Sequence, residues 1–221
     1  MANILNIETS GKTASICLSA GDQIPGFRKN INRQDHAAWL HGAIDEMMNE
    51  AGWSFDKLDA IAVSMGPGSY TGLRLGMATA KGLCYALNKP LLCVPTLEIM
   101  AWAARAEQKA DYYCPMIDAR RMEVFAAVYD NNLAELSPPQ AIILEAGSLN
   151  HWLQKGTVLL SGDGSTKATT LVSHHHLLVS TVETDASAMP PLALKQLHNK
   201  LVADLAYSEP FYLKEFYSPA G

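Results

Sequence analysis

The chain has 221 residues, of which 48 % are hydrophobic and 18 % are charged. This composition is typical of a globular protein and excludes a disordered chain, and the length fits one large domain or two small lobes. The 17 Lys and Arg residues against 22 Asp and Glu residues give a net charge of −5. The chain therefore lacks the excess of basic residues that a protein needs to bind nucleic acid without a partner.

The first half of the chain predicts three strands followed by alternating helices and strands. In order these are strands over 4–7, 13–19 and 27–31, a helix over 34–51, a strand over 58–64, a helix over 71–87, a strand over 91–94 and a helix over 97–108. In the first helix, Leu40, Ile44, Met47 and Met48 share one face by their three- and four-residue spacing.

The second half repeats this layout loosely. The predicted elements are strands over 111–118, 123–129 and 141–144, a helix over 149–155, a strand over 157–160 and a terminal helix over 188–206. Both halves open with strands and continue with strands alternating with helices, which suits two α/β lobes. We expect the lobes to span 1–108 and 109–221. No apolar run approaches the 18 residues that a membrane span needs, and Glu8 ends the N-terminal apolar run, so we expect a cytoplasmic protein with no membrane partner.

The loop from Gly66 to Gly72 carries three glycines between a buried strand and a predicted helix. Free N–H groups at a helix N-terminus favour an anion, so Gly66 and Gly68 are candidates for a phosphate or carboxylate cradle. The alternative is a tight turn without a ligand. The loop is not a Walker A motif, since no Gly-Lys-Ser/Thr follows at the required spacing.

Polar residues follow the first strand of each half. Glu8, Thr9 and Ser10 could orient a nucleotide-bound metal ion, or the hydroxyls could satisfy turn backbone groups. Asp118 holds the parallel position in the second half, beside Arg120 and Arg121. It could form local ion pairs with them or contact an anion or a partner.

Small residues recur every four positions in the second helix, at Gly72, Gly76, Ala80 and Cys84. Each glycine costs about 1 kcal/mol of helix stability relative to alanine, so another element must pack closely there. That element is either part of the same fold or a partner subunit, and the two are not exclusive.

The histidines do not predict a metal site. His174, His175 and His176 are adjacent, and in a strand they would alternate faces, so a solvated loop or edge is the better interpretation. His36 and His41 are five apart and misaligned on a helix. No Ser/His/Asp arrangement can be nominated, so we predict no catalytic residues.

Several motifs together resemble a known family. They are Ile4-Leu5-Asn6-Ile7-Glu8-Thr9-Ser10, the string from Gly66 to Arg74, Ala80-Lys81-Gly82-Leu83, Val94-Pro95-Thr96-Leu97-Glu98 and the run from Ile117 to Val124. The family is that of the TsaB (YeaZ) proteins of tRNA threonylcarbamoyladenosine biosynthesis, glycoprotease-like relatives of the catalytic subunit TsaD. The resemblance implies the ASKHA (actin-like ATPase) fold with two RNase H-like lobes.

The resemblance also implies a non-catalytic role. Such proteins pair with TsaD and, with the ATPase TsaE, support transfer of a threonylcarbamoyl group to N6 of adenosine 37 in tRNA; no cofactor is expected, and tRNA is contacted only through the complex. The implied contact surface for TsaD, or for a second copy in a homodimer, is formed by the first two helices. We assign to it Met47, Met48, Gly72, Gly76, Ala80 and Cys84.

Two positions argue against catalysis. Where TsaD has a His-x-x-x-His metal pair, this chain has Thr96 and Met100, which are poor ligands for a hard or borderline metal ion. Protease activity is therefore not expected. The alternative function is a nucleotide-dependent phosphotransferase of the same fold class, with Glu8, the glycine loop, Asp118 and the turn Ser161–Gly164 around a nucleotide.

Overall fold

The computed structural model describes residues 1–32 and 35–214, which form two compact units. The first unit comprises Met1–Thr96 with Asp185–Phe211, and the second comprises Leu97–Thr184 with residues 212–214. The strands are β1 Asn3–Glu8, β2 Ala14–Ala20, β3 Gln23–Asn30, β4 Ala60–Ser64, β5 Leu91–Val94, β6 Tyr112–Asp118, β7 Glu123–Asp130, β8 Glu135–Ile143, β9 Val158–Ser161 and β10 Leu177–Val179. The α-helices are α1 His36–Glu50, α2 Tyr70–Leu87, α3 Thr96–Glu107, α4 Asn150–Leu153, α5 Ser165–Leu171 and α6 Pro190–His198.

Each unit is built on a five-stranded sheet, and the two sheets have the same topology. The strand order is β3-β2-β1-β4-β5 in the first unit and β8-β7-β6-β9-β10 in the second. In each sheet the first three strands pair antiparallel, and the last two join in parallel. This is the RNase H-like order, so the predicted α/β class with two such lobes is confirmed.

The core of the first unit lies between its sheet and helices α1 and α2. Leu40, Ile44, Met47 and Met48 point from α1 into this core, as their spacing predicts. Burial of a large apolar side chain contributes about 1.5–3 kcal/mol, so this one face accounts for much of the attachment of α1 to the sheet. The predicted start of this helix, Gln34, lies outside the described residues.

The division into units differs from the predicted boundary between residues 108 and 109. From Leu97 onward, helix α3 belongs to the second unit, because Leu97 and Ala101 pack in one apolar cluster with Tyr113 and Leu159. The segment from Asp185 returns to the first unit, where α6 packs on β5 and β1. Because the chain returns to the first unit, no single boundary in the sequence separates the two units.

Four second-half elements differ from the prediction. The strand predicted over 141–144 is the end of the longer β8, and α5 and β10 were not predicted. The terminal helix ends at His198 instead of 206, because Lys200 adopts the left-handed conformation with φ +57° and breaks the helix.

Candidate functional site

The end of β1 and the loop before α2 pack directly against each other in the first unit. Ser69 N donates a hydrogen bond to Ser10 O at 2.7 Å, and Thr9 Oγ1 donates to Gly72 O at 2.7 Å. A Cβ on Gly68 would lie 2.5 Å from Ser10 O, and a Cβ on Gly72 would lie 2.0 Å from Thr9 O. The approach of the chain's own backbone therefore requires glycine at both positions.

The N-terminus of α2 is capped by its own chain. The Ser69 side chain accepts a hydrogen bond from Gly72 N at 3.4 Å, and its carbonyl accepts one from Leu73 N at 2.8 Å. Gly66, with φ +115°, donates its N–H to Thr96 Oγ1 at 3.2 Å. Of the two interpretations of the glycine loop, the tight strand-to-helix turn accounts for these glycines without a bound anion.

Glu8 is a buried carboxyl at the end of β1. Its side chain is 3 % exposed, and Oε1 accepts hydrogen bonds from Ser10 N at 2.6 Å and Ser10 Oγ at 2.5 Å. Burial raises the pKa of Glu8 above its ordinary value of 4.5, outweighing the hydrogen bonds from Ser10, and the nearby Asp185 raises it further. The hydroxyls of Thr9 and Ser10 thus serve neighbouring groups of the turn.

The raised pKa of Glu8 predicts a pH-dependent effect of replacing it with glutamine. Because the carboxyl has a higher pKa in the folded state, the folded protein loses stability as the pH rises from 4.5 through the folded-state pKa of Glu8. Glu8→Gln removes this loss, about 1.4 kcal/mol for each pH unit between the two pKa values. We expect the variant to have a higher melting temperature than the parent at pH 8, and the difference in melting temperature to be smaller at pH 4.5. A pH-independent effect of Glu8→Gln would contradict the assignment.

Asp118 holds in the second unit the strand-end position that Glu8 holds in the first. Its Oδ1 accepts hydrogen bonds from Lys167 Nζ at 2.7 Å and from Arg120 N at 2.6 Å. An ion pair joins Asp118 to Lys167 on α5, and Arg120 and Arg121 form the left-handed turn into β7, with φ +71° and +48°. The Asp118 carboxylate thus connects this turn to α5.

The side chains at positions 96 and 100 do not fit a catalytic metal ion. Thr96 is buried, and its hydroxyl accepts the hydrogen bond from Gly66 N. Met100 is buried in the apolar cluster of the second unit, with its methyl group against Gly162. A thioether in an apolar core and a neutral hydroxyl already in use are not ligands for a hard or borderline metal.

The three adjacent histidines lie in a turn before β10, yet their rings converge. Ring centroids lie 4.4 Å apart for His174 and His175 and 4.1 Å apart for His175 and His176. Burial, followed by the charges of its two neighbours, lowers the pKa of His174. The segment is a loop and turn with partly exposed rings, as predicted, so the alternation of faces in a strand does not apply to it.

The residues predicted as partner contacts are interior, so that prediction is wrong. Met47 and Met48 are each 1 % exposed and belong to the core of the first unit. The small-residue stripe of α2 faces its own sheet, where a Cβ on Gly76 would lie 2.3 Å from Thr9 Oγ1. The buried members of the stripe are Gly72, Gly76, Ala80 and Cys84.

The opposite faces of the two helices are exposed and also carry small residues. We name them the outer α1–α2 surface, made of Ala38 and Gly42 on α1 and Ala78, Gly82 and Tyr85 on α2. Tyr85 is 83 % exposed, and a Cβ on Gly42 or Gly82 would meet no atom of the described residues within 4 Å. Packing within the chain does not explain glycine there, although each costs about 1 kcal/mol in a helix. The spacing Ala78, Gly82, Tyr85 is the sequence signal that finds this surface.

Comparison with known proteins places this arrangement in a family. A family model described as TsaD, tRNA N6-adenosine threonylcarbamoyltransferase, matches residues 21–203. The tRNA threonylcarbamoyladenosine biosynthesis protein TsaB of Bacillus subtilis is 31 % identical over 153 residues, covering 68 % of this chain and 64 % of that protein. A tRNA N6-adenosine threonylcarbamoyltransferase of Chelativorans is 36 % identical over 132 residues, covering 51 % and 36 %. The chain thus spans less than two thirds of the length of these curated relatives.

A solved structure shares the fold over nearly the whole chain. YeaZ from Pseudomonas aeruginosa superposes with a TM-score of 0.81 at 24 % identity, covering 96 % of this chain and 100 % of that one. Within the described ranges, no helix has the length and apolar character to cross a bilayer.

Proposed function

Because this chain belongs to the TsaD family and is related in sequence to TsaB proteins, we propose that it is an accessory subunit in tRNA threonylcarbamoyladenosine biosynthesis. In this role it supports transfer of a threonylcarbamoyl group to N6 of adenosine 37, in the cytoplasm, and leaves the chemistry to TsaD. The observation that carries the proposal is the pair Thr96 and Met100, which cannot supply the metal ligands of a catalytic family member.

The outer α1–α2 surface is the proposed contact for TsaD. Gly42 and Gly82 let a facing helix approach closely, and the exposed ring of Tyr85 offers a large apolar area at the same surface. In the absence of TsaD, the same surface serves a second copy of the chain. TsaE completes the complex, and the net charge of −5 supports contact with tRNA only through these partners.

The proposed role is tested by deletion and reconstitution. Deleting the gene is expected to remove the modified adenosine from hydrolysed tRNA, measured by mass spectrometry, and the full chain should restore it. In purified mixtures the chain alone should form no product, while TsaD with TsaE should require it. Normal modification after deletion, or failure to recover TsaD with the chain, would contradict the proposal.

The alternative, a nucleotide-dependent phosphotransferase, is not favoured by the site. Glu8 is held by Ser10, Asp118 is held by Lys167, and the glycine loop is filled by the chain's own backbone. No observation on these residues favours phosphoryl transfer over the accessory role.

A further inference from the structure

The cluster of His174, His175 and His176 is a feature of the second unit that the proposed function leaves unused. We propose that it binds one divalent transition-metal ion, of the class of Zn²⁺, Ni²⁺ and Cu²⁺, through its three imidazoles. One ring nitrogen from each histidine lies within 4.8 Å of the other two. This inference does not depend on the role in tRNA modification.

The spacing of the nitrogens is close to what coordination requires. A Zn–N bond of about 2.0–2.1 Å in tetrahedral geometry places two ligand nitrogens about 3.4 Å apart. The nitrogens of the cluster therefore need to approach one another by at most about 1.4 Å, which small χ rotations of partly exposed rings supply. The backbone of the turn does not have to change.

The backbone of the turn is fixed by its own hydrogen bonds. Leu177 N donates to His174 O at 3.0 Å, which closes the turn, and Val158 N donates to His176 O at 2.9 Å, which ties the turn to β9. Three imidazoles are thus held together before any ion binds, and less ordering is required on binding.

The hydrogen bonds of the rings allow His176 to coordinate directly and His174 to coordinate by exchanging one bond. His176 Nδ1 lies 3.0 Å from Leu153 O, and a carbonyl can only accept, so Nδ1 carries the proton and Nε2 is free to coordinate. A backbone carbonyl on the second nitrogen is the usual support for a metal-bound histidine. His174 Nδ1 accepts a hydrogen bond from His176 N at 3.1 Å, and a metal ion at this nitrogen would replace that bond.

The donor set selects the class of ion. Imidazole nitrogens suit Zn²⁺, Ni²⁺ and Cu²⁺, whereas Mg²⁺ and Ca²⁺ require oxygen ligands that the three rings do not offer. Three protein ligands at a partly exposed turn leave a coordination position for water or a second ligand, as in an open site.

Calorimetric titration of the full chain, prepared without an affinity tag, tests the site with NiCl₂ as the probe. We expect one Ni²⁺ per chain and no uptake of Mg²⁺. His175→Ala should weaken Ni²⁺ binding by about tenfold or more. The matched control is His198→Ala, which removes an exposed histidine of α6 and should leave the affinity unchanged.

A spectroscopic measurement separates coordination by the cluster from scattered binding. With Cu²⁺ the electron paramagnetic resonance spectrum should show coupling to several nitrogens in the parent and to fewer in His175→Ala. His175→Gln, which keeps a polar side chain of similar length, repeats the test if the alanine variant folds poorly by circular dichroism. No Ni²⁺ uptake, an equal loss in His198→Ala, or a single coupled nitrogen would overturn the proposal.

Discussion

Replacing Gly72 with alanine is expected to lower the free energy of unfolding by about 3 kcal/mol, at the upper end of the range for overpacking. The new Cβ would lie 2.0 Å from the main-chain oxygen of Thr9, which is fixed at the end of β1. Neither Gly72 nor Thr9 can shift at low cost, because Gly72 lies in α2, and Thr9 is held by the bonds from its N to Ser64 Oγ and from its Oγ1 to Gly72 O. For a chain of this length, the melting temperature should fall by roughly 6–12 °C.

Gly82→Ala is the matched control, since it makes the same change on the same helix. A Cβ on Gly82 would meet no described atom within 4 Å, so only the gain in helix propensity remains. We expect Gly82→Ala to raise the free energy of unfolding by up to about 1 kcal/mol. If the two variants had the same melting temperature, the close contact between α2 and the end of β1 would be contradicted.

Replacing Ala78 with arginine is expected to weaken binding of TsaD by about 100-fold, or about 2.8 kcal/mol. Ala78 is exposed on α2, one turn before Gly82, so a long charged side chain there would hold a facing helix away from the outer α1–α2 surface. Stability should hardly change, because the side chain points into solvent in the isolated chain. The dissociation constant for TsaD of the same organism, measured by titration, tests this expectation.

Ala106→Arg controls for the added charge, because Ala106 is also an exposed helical alanine but lies on α3. It should bind TsaD as the parent does. If both variants lost TsaD binding, the added charge and not the position would be the cause. If both kept TsaD binding, the outer α1–α2 surface would be excluded as the contact.

The sequence predicts which segments are helical or extended far better than which way a helix faces. The stripe from Gly72 to Cys84 and the series Ala78, Gly82, Tyr85 both recur at helical spacing on α2. Only the position of Thr9 in the folded chain decides which of them is inside. Helix propensity is a local property, whereas the buried face depends on contacts about 60 residues away in the chain.

The sequence did not predict α5 and β10, and in both cases the reason is local. Helix α5 is short and rich in Ser and Thr, which are weak helix formers, and β10 has three residues, too few for a periodic pattern. The convergence of the three histidine rings has no periodic signal, because it arises from the turn between α5 and β10.

The return of residues Asp185–Phe211 to the first unit has a consequence for synthesis on the ribosome. Strand β5 bonds to Ala203, and Phe211 N donates to Met65 O, so the first unit lacks these partners for its own edge until residue 211 has been made. At about 5–20 residues per second, the stretch of about 115 residues from Leu97 to Phe211 takes roughly 6–23 s to emerge. During that time the segment Met1–Thr96 is exposed to chaperones and proteases, because the segment that completes its unit has not yet been made.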